Sequence, residues 1–223
     1  MIKDLDCILI IDYGSQYTQL IARRIREIEV FCLVYPYNKI TKKFLEEIKP
    51  SAFILSGGPK SVLDKNSPKL DNNILLMKKP ILAICYGMQL IVSSLNGSIN
   101  KSIQREYGHT FINIKKNFDL FKDIKKNKIK VWMSHGDNIK KIPTQFLISS
   151  VSNNKIISSI ENKKNKIFCL QFHPEVFHTD FGTTIIKNFI TNISKIKNKF
   201  VIKNFIKSKV LELKNHIKKN KII

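Results

Sequence analysis

Cys85 stands where an apolar run, Ile81 to Ile84, gives way to Tyr86-Gly87-Met88-Gln89. Such a run, entered through Pro80, suits a strand buried on both faces of a parallel sheet, and Gly87 permits a tight turn into a helix. A helix beginning near Tyr86 would set the Cys85 sulfur over unpaired backbone N–H groups, whose partial positive charge favours thiolate over thiol. A thiolate in that position is a nucleophile. Taken alone, the same residue also reads as a small buried core side chain.

A second constellation follows the run Ile167 to Phe172. In an extended chain His173 and Glu175 point the same way, so the Glu175 carboxylate can hold and polarise the His173 imidazole while the imidazole faces a thiol from another strand. Nucleophile, base and orienting group are then all available for acyl transfer. That chemistry also needs donors aimed at the tetrahedral oxygen, each worth about 3 kcal/mol of barrier. Gly57 and Gly58, without side chains, let a backbone N–H come close to a substrate, and the Tyr86 N–H at the helix start supplies a second donor. Standing alone, Gly57-Gly58-Pro59 is equally a strand-to-loop turn, and His173-x-Glu175 a surface pair. A zinc site through Cys169, His173 and His178 does not fit by spacing.

The elements that would position these groups follow a β-α-β rhythm. Apolar runs recur at Cys7 to Ile11, Val30 to Val34, Ala52 to Leu55 and Ile81 to Ile84. Between the first two, the stretch from Thr18 to Ile28 predicts a helix with Leu20, Ile21, Ile25 and Ile28 on the sheet side. The fold class is therefore α/β: a mostly parallel central sheet flanked by helices, with Asp12-Tyr13-Gly14, Ser56-Gly57-Gly58-Pro59 and Cys85-Tyr86-Gly87 gathered at the carboxyl ends of its strands. After a helix from Tyr86 to Leu95, stopped at Asn96-Gly97, short β-rich runs (111–114, 129–133, 146–151, 156–160, 167–172) predict an added antiparallel portion that extends or covers the sheet. An amphipathic helix over Thr179 to Ile193, capped by Thr179 or Asp180, closes the domain.

The 223 residues give room for one substantial core and a small appendage. Four cysteines without C-x-x-C spacing, no signal-peptide pattern and no apolar run of about 20 residues predict a cytoplasmic chain with no membrane partner. The formal charge of +22 raises nucleic-acid binding as a class. The lysines are spread through Lys/Asn-rich stretches such as 125–128, 162–166 and 218–221 without interleaved aromatics, which favours solvated loops over a nucleic-acid surface.

Together and in this order, Ser56-Gly-Gly-Pro59, Cys85-Tyr-Gly-Met-Gln89 and Phe172-His-Pro-Glu175 resemble the class I (triad) glutamine amidotransferase family, a flavodoxin-like fold. Within it the chain is similar to the glutaminase domains of GMP synthetases, through Asp12-Tyr-Gly-Ser-Gln-Tyr17, Arg105-Glu-Tyr-Gly108, Ser134-His-Gly-Asp137 and His178-Thr179. The resemblance implies that Cys85 attacks the side-chain amide of glutamine, with His173 as base and then acid and Glu175 as orienter. Gly58 and Tyr86 would form the oxyanion hole, and Gln89, Gly136, Asp137 and Gly57 would contact the glutamine. It implies no metal or cofactor on this chain. ATP and Mg2+ would belong to an ATP-pyrophosphatase synthetase subunit or domain that aminates xanthosine monophosphate. Residues 1–195 would be the glutaminase domain. Residues 196–223, with Phe205, Ile206, Val210, Leu213 and Ile217 at helical spacing, would be a linker and helix leading towards a synthetase domain that this chain lacks, the Ser-Gly-Gly-x-Asp-Ser loop for ATP pyrophosphate being absent. Ala83, Asn96 and Phe177 depart from the usual glycine, glycine and threonine. The alternatives are the glutaminase of another amidotransferase and a decayed, non-catalytic basic protein that binds RNA.

Overall fold

The computed structural model describes residues 6–197 and Phe200. Among the described residues nine strands form one continuous sheet in the order β2-β1-β3-β4-β9-β8-β7-β5-β6. Its first half is parallel: β1 (Cys7–Asp12), β2 (Phe31–Pro36), β3 (Ala52–Leu55), β4 (Ile81–Ile84) and β9 (Ile167–Leu170). β8 (Ile157–Asn162), β7 (Leu147–Ser152), β5 (Ser98–Ile114) and β6 (Lys128–Lys141) continue it antiparallel. The later strands therefore extend the sheet and do not cover it.

Because side chains alternate across a strand, the uninterrupted apolar runs feed two cores. Ile8, Ile10, Leu82, Ile84, Phe168 and Leu170 join Ile21 and Ile25 of α1 (Thr18–Glu27) on one face. Leu9, Ile11, Phe53, Leu55, Ile81 and Ala83 join Leu45 of α2 (Lys42–Ile48), Ile74 of α3 (Asn72–Leu76) and Leu90 and Ile91 of α4 (Tyr86–Ser94) on the other. Helix α1 turns slightly from its expected orientation: Thr18 and Ala22 join Ile21 and Ile25 in the buried stripe, while Leu20 and Ile28 are only half-buried. Arg23 and Arg26 are exposed, and Arg23 and the half-buried Arg24 both pair with Glu27.

Two local expectations change. The closing helix, α5, starts at Gly182, runs to Lys187 and continues as a π-helix over Asn188–Ile193. Neither Thr179 nor Asp180 caps it, because both side chains are engaged by β6: Trp132 N–H donates to Thr179 Oγ1 (3.0 Å) and Lys130 N–H to Asp180 Oδ2 (3.1 Å). The hairpin β5–β6 is much longer than the apolar runs within it, since polar residues at 98–101 and 106–109 of β5 also find partners in β6. The stripe Phe205 to Ile217 lies outside the described residues. Among the described residues no helix is long and apolar enough to cross a membrane.

Candidate active site

The chain order around β1 reverses between β2 and β3, which opens a crevice at the carboxyl ends of the parallel strands. Loops after β1, β3, β4 and β9 meet there. β4 ends on Cys85, whose N–H still donates to Leu170 O of β9 (2.7 Å), while α4 begins at the next residue. A strand can become a helix in one residue only through an unusual backbone, and Cys85 carries φ 52° and ψ −107°. Such a conformation costs about 1–3 kcal/mol and persists where the surroundings over-determine it. Here α4 is locked to the end of β3: Gly87 N–H donates to Ser56 O (3.1 Å), and a Cβ on Gly87 would stand 2.7 Å from Leu55 O. The tight turn thus falls on Cys85 itself, and Gly87 serves close packing of helix on strand.

His173 is clamped from several sides. Its N–H donates to Trp132 O (3.0 Å), its carbonyl accepts from Thr179 Oγ1 (2.7 Å), and Tyr17 packs edge-on against the ring at a centroid distance of 4.9 Å. Nδ1 lies 2.8 Å from Glu175 Oε1, with Glu175 fully buried and its own carbonyl accepting from Arg24 Nε. Burial by itself would lower the pKa of the imidazole, but the negative charges of Glu175 and Cys85, with their hydrogen bonds to the ring, hold it well above the ordinary histidine value. A Cβ on Gly57 would stand 3.2 Å from His173 Cε1 and 3.6 Å from Cys85 Cβ. Gly57 is therefore the floor between thiol and imidazole.

Cys85, Tyr86, Gly58, Gln89, Gly136 and Asp137 all line one cavity of about 400 Å³, bounded further by Ser61, Arg105 and Ser134. Gly57 is not among its walls. The N–H of Tyr86, as first helical residue, has no acceptor within its own helix, and Tyr86 lies against Gly58, where an added Cβ would stand 3.3 Å from the Tyr86 ring. Gln89, on the first turn of α4, donates from Nε2 to Asp137 O (3.3 Å) and to Gln171 Oε1 (3.5 Å). Ser61 Oγ donates to Asp137 Oδ2. The other cysteines, Cys7, Cys32 and Cys169, are buried, and burial raises all three thiols, Cys7 to about 12.

Several site residues escape a reading of motifs. Gln171 Nε2 lies 3.7 Å from Cys85 Sγ, linking the sulfur through Gln89 to Asp137. Its signal was available, since 171, 173 and 175 alternate onto one side. The contacts of Tyr17 and Ser61 come from loops whose course no pattern dictates. Among the described residues no cluster of three or more His, Cys, Asp or Glu is arranged to hold a metal ion.

A family model described as "Glutamine amidotransferase class-I" matches residues 9–193. A GMP synthase [glutamine-hydrolyzing] from Brachyspira hyodysenteriae is 43% identical over 223 residues, all of this chain and 43% of that protein. One from Petrotoga mobilis is 47% identical over 216 residues, 97% of this chain and 42% of its own length. The chain thus spans less than half the length of the curated relatives it matches. Among solved structures, a putative GMP synthase subunit from Thermoplasma acidophilum superposes with a TM-score of 0.72 at 27% identity, covering 92% of this chain and 98% of that one. A glutamine amidotransferase from Thermotoga maritima, at 21% identity and TM-score 0.66 over 92% of this chain and 85% of its own, shares the fold.

Proposed function

The chain belongs to the class I glutamine amidotransferase family, and on that premise we propose that it is the glutaminase portion of a GMP synthetase, acting through Cys85, His173 and Glu175. The observation that carries the reading is the meeting of a thiol, on a strained strand-to-helix elbow at the wall of the cavity, with a buried, carboxylate-held imidazole. Glutamine enters that cavity with its carboxamide over Cys85. Sγ, its proton already passed to His173, attacks the carboxamide carbon as thiolate, and the oxyanion is met by the N–H groups of Gly58 and Tyr86. His173 returns the proton to the departing nitrogen, ammonia leaves, and a glutamyl thioester remains. Water, deprotonated by His173, then releases glutamate and restores the thiol. Gln89, Gly136 and Asp137 hold the amino-acid end of the substrate, and Gly57, without a side chain, leaves room for it beside thiol and imidazole.

Residues 1–195 form the glutaminase domain in this reading, and residues 196–223 lead towards a synthetase subunit or domain that binds ATP and Mg2+ and aminates xanthosine monophosphate with the ammonia. Support for the GMP pathway comes from the whole-chain similarity to the Brachyspira and Petrotoga proteins. The test is glutamate release by the purified chain, alone and with a GMP synthetase ATP-binding portion, ATP, Mg2+ and xanthosine monophosphate. Stimulated glutamate release with GMP formed supports the proposal. Release without GMP restricts it to glutamine hydrolysis, and a Cys85→Ala variant as active as the parent refutes the assigned nucleophile.

A further inference from the structure

Two of the motifs, Arg105-Glu-Tyr-Gly108 and Ser134-His-Gly-Asp137, meet at a buried pair that the proposed chemistry does not use. We propose that Glu106 and His135 form a carboxylate–imidazolium pair that fixes the Asp137 carbonyl, and with it the Ser134–Asp137 wall of the cavity, in position to receive glutamine. The inference rests on the glutaminase reading above, since it assigns that wall to substrate.

The backbone leaves this wall in need of a restraint. β5 and β6 pair regularly from Asn113 opposite Lys128 to Glu106 opposite His135, and again at Lys101 opposite Asp137. Between these points residues 102–105 of β5 stand against the single residue Gly136, so the ladder breaks beside the cavity. Side chains span the break. His135 Nε2 lies 3.2 Å from Glu106 Oε2 and His135 Nδ1 3.1 Å from Asp137 O, with both side chains about 1% exposed. The same Asp137 carbonyl accepts from Gln89 Nε2, which belongs to the first turn of the nucleophile helix. The wall is thereby tied to both β5 and α4.

The partners define the protonation. A carbonyl oxygen only accepts, so Nδ1 carries a hydrogen. Glu106 Oε1 accepts from Ser152 Oγ (2.8 Å) and Asn154 Nδ2 (2.9 Å). Burial acts to raise the Glu106 carboxyl, yet the hydrogen bonds from His135, Ser152 and Asn154 outweigh it and hold the carboxyl below its usual range. An ionised carboxylate accepts only, so Nε2 carries a hydrogen as well. The ring with two donors is an imidazolium. A buried ion pair is a poor device for stability, because apolar residues of the same size do as well or better; its value lies in specifying one arrangement.

Two measurements on the full chain test this. In the imidazole 15N spectrum at pH 7.5, His135, assigned by the loss of its signals in His135→Gln, shows protons on both nitrogens; a neutral ring with one proton overturns the pair. In Glu106→Gln the KM for glutamine rises about tenfold while kcat stays within about threefold, and alkylation of Cys85 by iodoacetamide, which does not use the amino-acid subsite, keeps its rate. An unchanged KM, or hydrolysis and alkylation falling in parallel, overturns the positioning role. A parent chain that alkylates at Cys85 but hydrolyses no glutamine counts against the glutaminase reading, and the 15N spectrum then still decides the pair.

Discussion

Replacing Gly87 by alanine puts the coupling between nucleophile and oxyanion donors to a direct test. The new Cβ would stand 2.7 Å from both Leu55 O and Leu55 Cβ and 3.0 Å from the Leu55 carbonyl carbon, where ordinary contact begins at 3.4 Å. The shortfall of about 0.7 Å falls on backbone at the end of β3, which cannot swing aside as a side chain could, so α4 and β3 must separate. α4 carries Tyr86 and follows directly on Cys85, while β3 leads through Ser56 into Gly57 and Gly58. The separation therefore opens the gap between the two N–H groups, of Gly58 and Tyr86, proposed as oxyanion donors. Removing one such donor outright costs about 3 kcal/mol, and displacing it by a fraction of an ångström costs about 1–2 kcal/mol, a loss of about five- to thirtyfold in kcat. Overpacking also costs about 1–3 kcal/mol of stability, against the gain of about 0.5–1 kcal/mol that alanine brings in an unhindered helix. The assay is glutamate release with kcat and KM resolved, beside urea unfolding and iodoacetamide alkylation of Cys85. The expected pattern is a lower kcat, a KM within about twofold, a lower urea midpoint and an alkylation rate close to that of the parent, since displacement at iodoacetamide forms no oxyanion. A variant with parental kcat and a raised urea midpoint would refute the packing argument.

Other side chains give sharper local tests. In Glu175→Gln the charge that sustains His173 is gone and burial prevails, so the imidazole pKa falls; the iodoacetamide rate of Cys85 at pH 7 drops at least about tenfold, and an unchanged pH profile would contradict the pairing. Glu161, buried with neither carboxylate oxygen hydrogen-bonded and Lys163 3.8 Å away, is pushed up to about 7 by burial. Its raised pKa means that the associated stability is complete below about pH 4.5 and is lost as pH rises through 7, so unfolding free energy falls by about 2–3 kcal/mol between pH 4.5 and 8. Glu161→Gln flattens that slope in urea titrations and is the more stable protein at pH 8; a steeper slope would count against the assignment. Thr179→Val strands the half-buried Trp132 N–H and the buried His173 carbonyl, and costs about 2–3 kcal/mol with a parallel loss of hydrolysis; a neutral effect on both would show that the loop after β9 is held by other contacts.

The parallel half of the fold was legible because its strands are short, apolar on both faces and separated by a helix or by turn residues. Ala52–Leu55 and Ile81–Ile84 are the observed strands to the residue, and the start of α1 at Thr18 and of α4 at Tyr86 also matches. The antiparallel half was legible only in part. Its polar stretches, such as Lys101 and Glu106 to His109, belong to a strand because β6 offers them partners, and nothing in local hydropathy announces that pairing. Thr179 and Asp180 carry the residue types of a helix cap and were drawn instead to β6, an example of tertiary contact overriding local preference.

Residue types and spacing alone laid out the chemistry available: a thiol at a strand end, a histidine and glutamate at alternating positions, and two adjacent glycines at another strand end. Residue type and spacing along one strand or turn suffice for these, because reactivity and reach within a few residues are local properties. Only the tertiary structure decided which groups meet. Sequence separations of 86 and 29 residues lie between Gln171 and Cys85 and between Glu106 and His135, and both contacts exist because β4 and β9, like β5 and β6, are neighbours in one sheet. Likewise the strained backbone of Cys85 and the raised pKa of His173 are imposed by what packs around them, for strain and desolvation are properties of a surrounding that no local pattern contains.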